Sequence, residues 1–271
     1  MNLGEASIVL RHRPALEVVD LTLRFVRKLA PKQFVVLTLF VLVPCWLAFA
    51  YILTDELPGF VVWVLALMAA RVLELPFTIL CGRLLFERAP PAREIAKESF
   101  RSLPRFLLGL FFYSVILIAS LVLIVGPLFV GGNYFFLSEV LVLEKASALR
   151  AFKRSHQFLA GRSGTGVEGL FLRLGLMGSF IVLTETLGQA VLVHLFDIQV
   201  EMKSLWDDGV SAFSLLGLFL SVPYAAAHRF LAYTNERTRQ DGWDIQVAFL
   251  QLAAHPDPTS KERDAEESDA A

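Results

Sequence analysis

Charge is scarce in this chain. Of its 271 residues 19% are Asp, Glu, Lys or Arg and 55% are hydrophobic, where soluble domains carry about a quarter charged residues; mean hydropathy is +0.58. These values exclude an ordinary soluble domain and predict a membrane protein. Cysteine is scarcer still. Cys45 and Cys81 lie in or beside apolar runs, where buried inert thiols are expected in place of a disulfide or metal pair. The histidines are scattered without ligand spacing, so neither a metal nor another cofactor is expected. H-E-x-x-H and G-x-S-x-G are missing, and "GRSGTG" at 161–166 lacks the strand and lysine of a phosphate-cradling loop, so no enzyme is expected. Basic residues follow the edges of apolar runs and have no interleaved aromatic platform, which argues against nucleic acid. No cleavable leader is expected either. "LAFA" at 47–50 follows a long polar-rich stretch and its run continues through Tyr51, Ile52 and Leu53, so it is expected to remain as a first span.

What is present is long apolar runs. A crossing helix needs about twenty apolar residues, because its backbone must be satisfied within the segment. Phe34 to Leu53, Phe60 to Leu80, Leu170 to Phe196 and Val210 to Leu231 qualify. The run between Arg105 and Lys145 is too long for one crossing and divides into spans near Phe106 to Val125 and Leu128 to Leu143. Gly126–Pro127 is the expected turn, with Gly131–Gly132 as the alternative. Lysine and arginine then decide orientation. Arg11, Arg24, Arg27 and Lys28 precede the first span, Arg83, Arg93, Lys97 and Arg101 follow the second, Lys145, Arg150, Lys153 and Arg154 follow the fourth, and Arg237 and Arg239 follow the sixth. The intervening loops "TDELPG" and "DIQVEMKSLWDDG" hold a single basic residue, Lys203. The expectation is an all-α integral membrane protein with six transmembrane helices and both termini cytoplasmic in a bacterial inner membrane. Residues 1–253 would form the membrane domain and 254–271 a disordered acidic tail.

Cationic amphipathic helices are expected at the interface before spans 1, 3 and 5 and after span 6. Leu16, Val19, Leu23 and Val26 form one stripe, Ile95, Ser99 and Leu103 another, and Leu149, Phe152 and Leu159 a third. After span 6, Trp243, Val247 and Leu250 follow Gly242 at helical spacing. Such helices place apolar residues in the acyl boundary and cations against anionic headgroups, or pack beneath the bundle; the two roles are compatible. The layout suggests three units, each an in-plane helix followed by a membrane hairpin, without residue identity between them.

Two segments carry a resemblance. In "VGPLFVGGNYFFLSEVLVLEKASALRAFKRSHQFLAGRSG" a Gly126–Pro127 turn leads to an apolar helix ending in Glu144, followed by Ala151, Phe152, Arg154, Ser155 and Gly161. In "YTNERTRQDGWDI", Tyr233, Arg237, Arg239, Gly242, Trp243 and Asp244 recur in the same order as a second signature. Both resemble glycerophosphoryl diester phosphodiesterase membrane domains and related bacterial six-span proteins. The sequence departs from that pattern at Asn235, where an acid is usual, at Asp241, which replaces glutamate, and in the Gly-Pro order of the turn. The resemblance implies a six-span fold. The catalysis of that family belongs to a separate soluble barrel, so no activity carries over.

Charges within spans are costly, about 2.5–3.5 kcal/mol each on insertion scales, and demand a reason. Arg71 and Glu74 are three apart and can neutralise one another. Glu139 lies in the fourth span, and Glu185 and Gln189 make one side of the fifth polar. This set reads either as interhelical pairs, such as Arg71 with Glu139 or Glu185, or as a polar pathway. Glu144 is expected to pair with Arg237 or Arg239. The leading expectation is a non-enzymatic scaffold, assembly partner or lipid-contacting component of a membrane system, with anionic lipids, other membrane proteins or a second copy as partners. The alternative is a small transporter or channel-like protein using the Arg and Glu set.

Overall fold

The computed structural model describes residues 13–53, 57–85, 87, 89–160, 163–195 and 203–242. The helix expected around Trp243, the motif residue Asp244 and the acidic tail lie outside them. Among the described residues the chain is all α, with six apolar helical segments long enough to cross a membrane: Pro31–Ile52, Gly59–Leu84, Ala92–Ser120, Gly126–Leu143, Gly164–His194 and Ala212–Gln240. The first combines α2 (Pro31–Leu37) and α3 (Val43–Ile52) through a wider π turn. The second is α4 (Gly59–Leu84) and the third α5 (Ala92–Ser120). The fourth is broken into α6 (Gly126–Asn133) and α7 (Leu137–Leu143). The fifth is α9 (Ser163–Leu195) and the sixth α11 (Ala212–Asp241). Shorter helices α1 (Ala15–Arg24), α8 (Ala148–Leu159) and α10 (Leu205–Asp208) lie between or before them.

The last helix is the axis of the bundle. In α11, 78% of the apolar window is enclosed, against 17% for the first, third and fifth spans. Small residues make this possible. A side chain at Gly217 would collide with Thr184 and the backbone of Phe180, so α9 and α11 approach there nearly backbone to backbone. Ala225, Ala226 and Ala227 serve the same end in the middle of α11. The helix stops where Gly242 takes the left-handed conformation, φ 59°, which a residue without Cβ adopts at little cost.

Two ends of the bundle differ in chemistry. Trp46, Trp63 and the exposed Trp206 gather at one end, where Trp46 Nε1 donates to Ala212 O and Trp63 Nε1 to Gly209 O, each at 2.8 Å. Arg83, Lys97, Arg101, Lys145 and Arg154 occupy the other. Indole rings with one apolar body and one polar N–H suit a membrane boundary.

Helix α1 lies across α11. Arg13 and Asn235 exchange two backbone–amide hydrogen bonds, at 2.8 and 3.0 Å, while the Phe25 and Phe230 rings are 6.3 Å apart. The contacts on both sides of α1 therefore fall on one short stretch of α11, from Phe230 to Asn235.

Several expectations are corrected in detail. The segment before span 3 is no separate interfacial helix: α5 is continuous through Pro104. The buried stripe of α1 and the π-helical turn that follows it is Val18, Thr22, Phe25 and the expected Val26, while Leu16 and Leu23 face outward. In α8 it is Ala148, Ala151, Ser155, Phe158 and the expected Leu159, while Leu149 faces outward. Each helix carries apolar residues outside its packed face, and periodicity alone does not say which apolar residues the bundle covers. The turn between spans 3 and 4 is 121–125, before Gly126–Pro127, which opens α6 instead. Gly131 and Gly132 are packing positions against Leu170 and Val167 of α9. Helix α9 begins ahead of Leu170 and absorbs Gly164 and Gly166; Gly166 lies against the carbonyl of Gly132, where a side chain does not fit.

Candidate functional site

Three helices meet at Glu74, and a fourth joins them through Arg229. Its carboxylate accepts from Arg71 Nη1 at 3.1 Å on the same helix, pairs with Arg173 of α9, and lies 3.0 Å from Arg229 Nη2 of α11. Arg229 Nε in turn donates to Glu139 Oε1 of α7 at 2.9 Å. Glu74, Glu139 and Arg229 are sealed from solvent, Arg173 nearly so, and Arg71 is part-exposed beside the Tyr113 ring, 6.0 Å from its centroid. Glu74 is thus the hub of a chain of ion pairs joining α4, α7, α9 and α11. The contact of Arg229 Nη2 with Glu74 has ion-pair distance without hydrogen-bond geometry, and Arg229 Nη1, Arg173 Nε and Glu139 Oε2 have no hydrogen-bond partner. Three guanidiniums face two carboxylates.

The expected pairing of Arg71 with Glu74 is present. Arg71 does not reach Glu139 or Glu185 in any ion pair among the described residues; their partners are others. Arg173 and Arg229 were the missing members. Each stands within an apolar run, "LFLRLGLMG" and "AAAHRFLAY", but close to an expected span end, where an arginine reads as a boundary charge. The helices extend beyond those ends and carry both arginines inward.

Glu185 and Gln189 belong to a different place. Glu185 accepts from Leu205 N at 2.9 Å, from Gln189 Nε2 at 2.6 Å and from Ser211 Oγ. Ser211 is the N-cap of α11, with Ser214 completing a reciprocal capping box. The carboxylate therefore closes the tryptophan-end loop onto α9. It satisfies the Leu205 N–H, which would otherwise stand bare at the start of α10.

At the basic end the motif residues form a latch. Tyr233 Oη donates to Glu144 Oε1 at 2.7 Å and receives Arg237 Nη1 at 3.3 Å, and Arg154 Nε lies 3.7 Å from Glu144 Oε2. Tyr233 thus links Glu144 to Arg237, and Arg239 pairs with Glu236 at 2.7 Å. Arg154 also lies over the Phe158 ring, 4.4 Å from its centroid. Ser155 is buried with its hydroxyl unpartnered.

Beside this latch two adjoining cavities of about 380 and 490 Å³ share Arg83, Glu98 and Lys145. One wall is apolar, with Ile79, Val142, Leu143 and Phe230. The other carries Lys97, Arg101 and Arg105. Arg83 is held by Glu94 at 2.5 Å and Glu98 at 3.0 Å. Arg105 Nη1 donates at 3.0 Å to the carbonyl of Lys145, whose backbone is left-handed at φ 51°. Lys97 and Arg101 form no ion pair among the described residues. The groove therefore joins hydrocarbon-compatible surface to uncompensated positive charge. No group of three or more His, Cys, Asp or Glu side chains able to hold a metal ion occurs among the described residues. No family model, curated protein or solved structure matches the chain.

Proposed function

We propose that this multi-span helical membrane protein is a non-enzymatic, lipid-contacting scaffold of a bacterial cytoplasmic membrane, with its basic end toward the cytoplasm. The observation that carries the reading is the groove at that end, where an apolar wall and unpaired cations adjoin. An anionic phospholipid offers both complements, an acyl chain and a phosphate, and basic pockets between helices at the cytoplasmic side suit such headgroups. Leu16, Phe100 and Leu149 support it: each is more than 70% exposed and stands near cations on α1, the basic start of α5 and α8. Apolar side chains among cations suit a headgroup boundary. The resemblance of the Glu144 and Tyr233 segments belongs to the same reading, with those residues holding helices together and taking no part in catalysis.

The test is native mass spectrometry of the detergent-purified full chain with dioleoyl phosphatidylglycerol, dioleoyl phosphatidylcholine or inorganic phosphate. Retention of phosphatidylglycerol over phosphatidylcholine, lost in Lys97→Gln/Arg101→Gln and kept in Arg24→Gln/Arg27→Gln, is the expected result. Equal retention of the two lipids, or equal loss in both variants, overturns the lipid site. The transporter reading has less support, because Glu185 and Gln189 are engaged in a loop closure apart from the Glu74 cluster. Proteoliposomes are expected to show no proton or solute flux; flux abolished by Arg71→Gln, the mildest change in the cluster, would replace the scaffold with a transporter.

A further inference from the structure

We propose that a cavity walled by the start of α1, on the face of α11 opposite the basic groove, binds a primary ammonium group, whether of a small free alkylamine or of a lipid ethanolamine headgroup. The cavity measures about 190 Å³, and an apolar cavity of about 150 Å³ already takes a molecule the size of benzene. It draws His228, Ala232, Asn235 and Glu236 from α11, whereas the groove uses Phe230, Tyr233, Thr234 and Arg237. At about 100° per residue the two sets lie about half a turn apart. The sites are therefore separate.

The lining carries one charge without a counter-charge. Arg13 is held by Glu17 at 3.2 Å and Glu236 by Arg239 at 2.7 Å, so those four cancel in pairs. The Asn235 amide spends its oxygen and its nitrogen on the backbone of Arg13. Glu168 of α9 is exposed at the edge of the cavity and forms no ion pair or hydrogen bond among the described residues. Arg173 and Arg229 are engaged with Glu74 and do not line the cavity. A single carboxylate left over calls for a ligand with a single positive charge.

His228 is the second observation. It is 2% exposed, makes no hydrogen bond among the described residues, and has its Nδ1 fully enclosed. The Phe135 ring, 6.3 Å from the imidazole, lines the same cavity. A buried imidazole without a partner is costly, and an N–H brought by a ligand satisfies it. Water alone is a poor occupant, because it needs two to four polar partners and Val18, Phe135, Phe136 and Leu172 make much of the wall apolar. A primary alkylammonium meets all three conditions. Its charge suits Glu168, its N–H groups can donate to the carboxylate and to an imidazole nitrogen, and its alkyl stem suits the apolar wall. A quaternary ammonium lacks the donors, and a carboxylate ligand has the wrong sign.

The test is saturation-transfer NMR on the full chain in dodecyl maltoside, with protein-free micelles as the blank. Butylammonium is expected to bind, with butyrate at least about tenfold weaker and butyltrimethylammonium about threefold weaker. Glu168→Gln, which breaks no contact among the described residues, is expected to lower the affinity for butylammonium about fivefold. Asp20→Asn, at an exposed acid of α1 outside the cavity, should leave it unchanged. His228→Leu removes an unpartnered polar group, so the fold is expected to survive while butylammonium binding weakens about threefold. Native mass spectrometry separates the two sources. Retention of dioleoyl phosphatidylethanolamine over dioleoyl phosphatidylcholine, displaced by butylammonium and lost in Glu168→Gln, assigns the lipid headgroup; butylammonium binding without such retention assigns a free amine. No butylammonium binding above the blank, equal binding of butyrate, or Glu168→Gln behaving as Asp20→Asn overturns the proposal. Unchanged affinity in a folded His228→Leu also overturns it, since the amine would then sit on Glu168 at the surface.

Discussion

Glu74 and Glu185 are both sealed carboxylates on membrane-spanning helices, yet they are satisfied in different ways. Glu74 is met by guanidiniums from its own helix and two others, whereas Glu185 is met by a backbone N–H, a serine and a glutamine. The first is a charge with two of its three counter-charges, Arg173 and Arg229, buried beside it. Removing it leaves arginines without compensation, and an orphaned buried ion costs more than a lost neutral bond. The second holds a loop, and its loss falls on one end of the bundle. Charge in the interior thus fixes helix against helix, while charge near the boundary fixes helix against turn.

Substitutions sharpen this contrast, each read as a shift in the unfolding free energy of the detergent-solubilised protein. Glu74→Gln is expected to have the largest effect, about 3–5 kcal/mol, because Arg173 and Arg229 lose their common partner. Glu139→Gln should cost less, about 2 kcal/mol, since Arg229 keeps Glu74 at 3.0 Å. Glu185→Gln should cost about 1–2 kcal/mol and should raise proteolysis at the α10 loop with the remaining helices intact. Arg71→Gln, at the part-exposed edge, should cost about 0.5 kcal/mol. If Glu185→Gln proves more damaging than Glu74→Gln, the distinction between core lock and loop closure fails.

The helical layout was legible because apolar length and arginine placement act along the chain, one segment at a time. The pairing of helices was not. Arg173 and Arg229 look like boundary residues until α9 and α11 are seen to extend past Leu170 and Leu231. Glu185 looks like a companion of Arg71 until the loop carrying Leu205 folds back over it. Leu16 and Leu149 follow helical periodicity faithfully but point away from the packed stripe, since periodicity locates an apolar face without saying whether protein or lipid covers it. The Glu144–Tyr233 latch joins two segments singled out separately. Nothing local to either one specifies that they touch.

The clasp between Arg13 and Asn235 joins positions 222 residues apart. A nascent chain emerging from the ribosome delivers its first helix long before the seat for that helix exists. Throughout synthesis α1 must wait without its final neighbour, and its docking onto α11 is among the last steps of maturation. Truncation before α11 would therefore strand the beginning of the protein as well as remove its end.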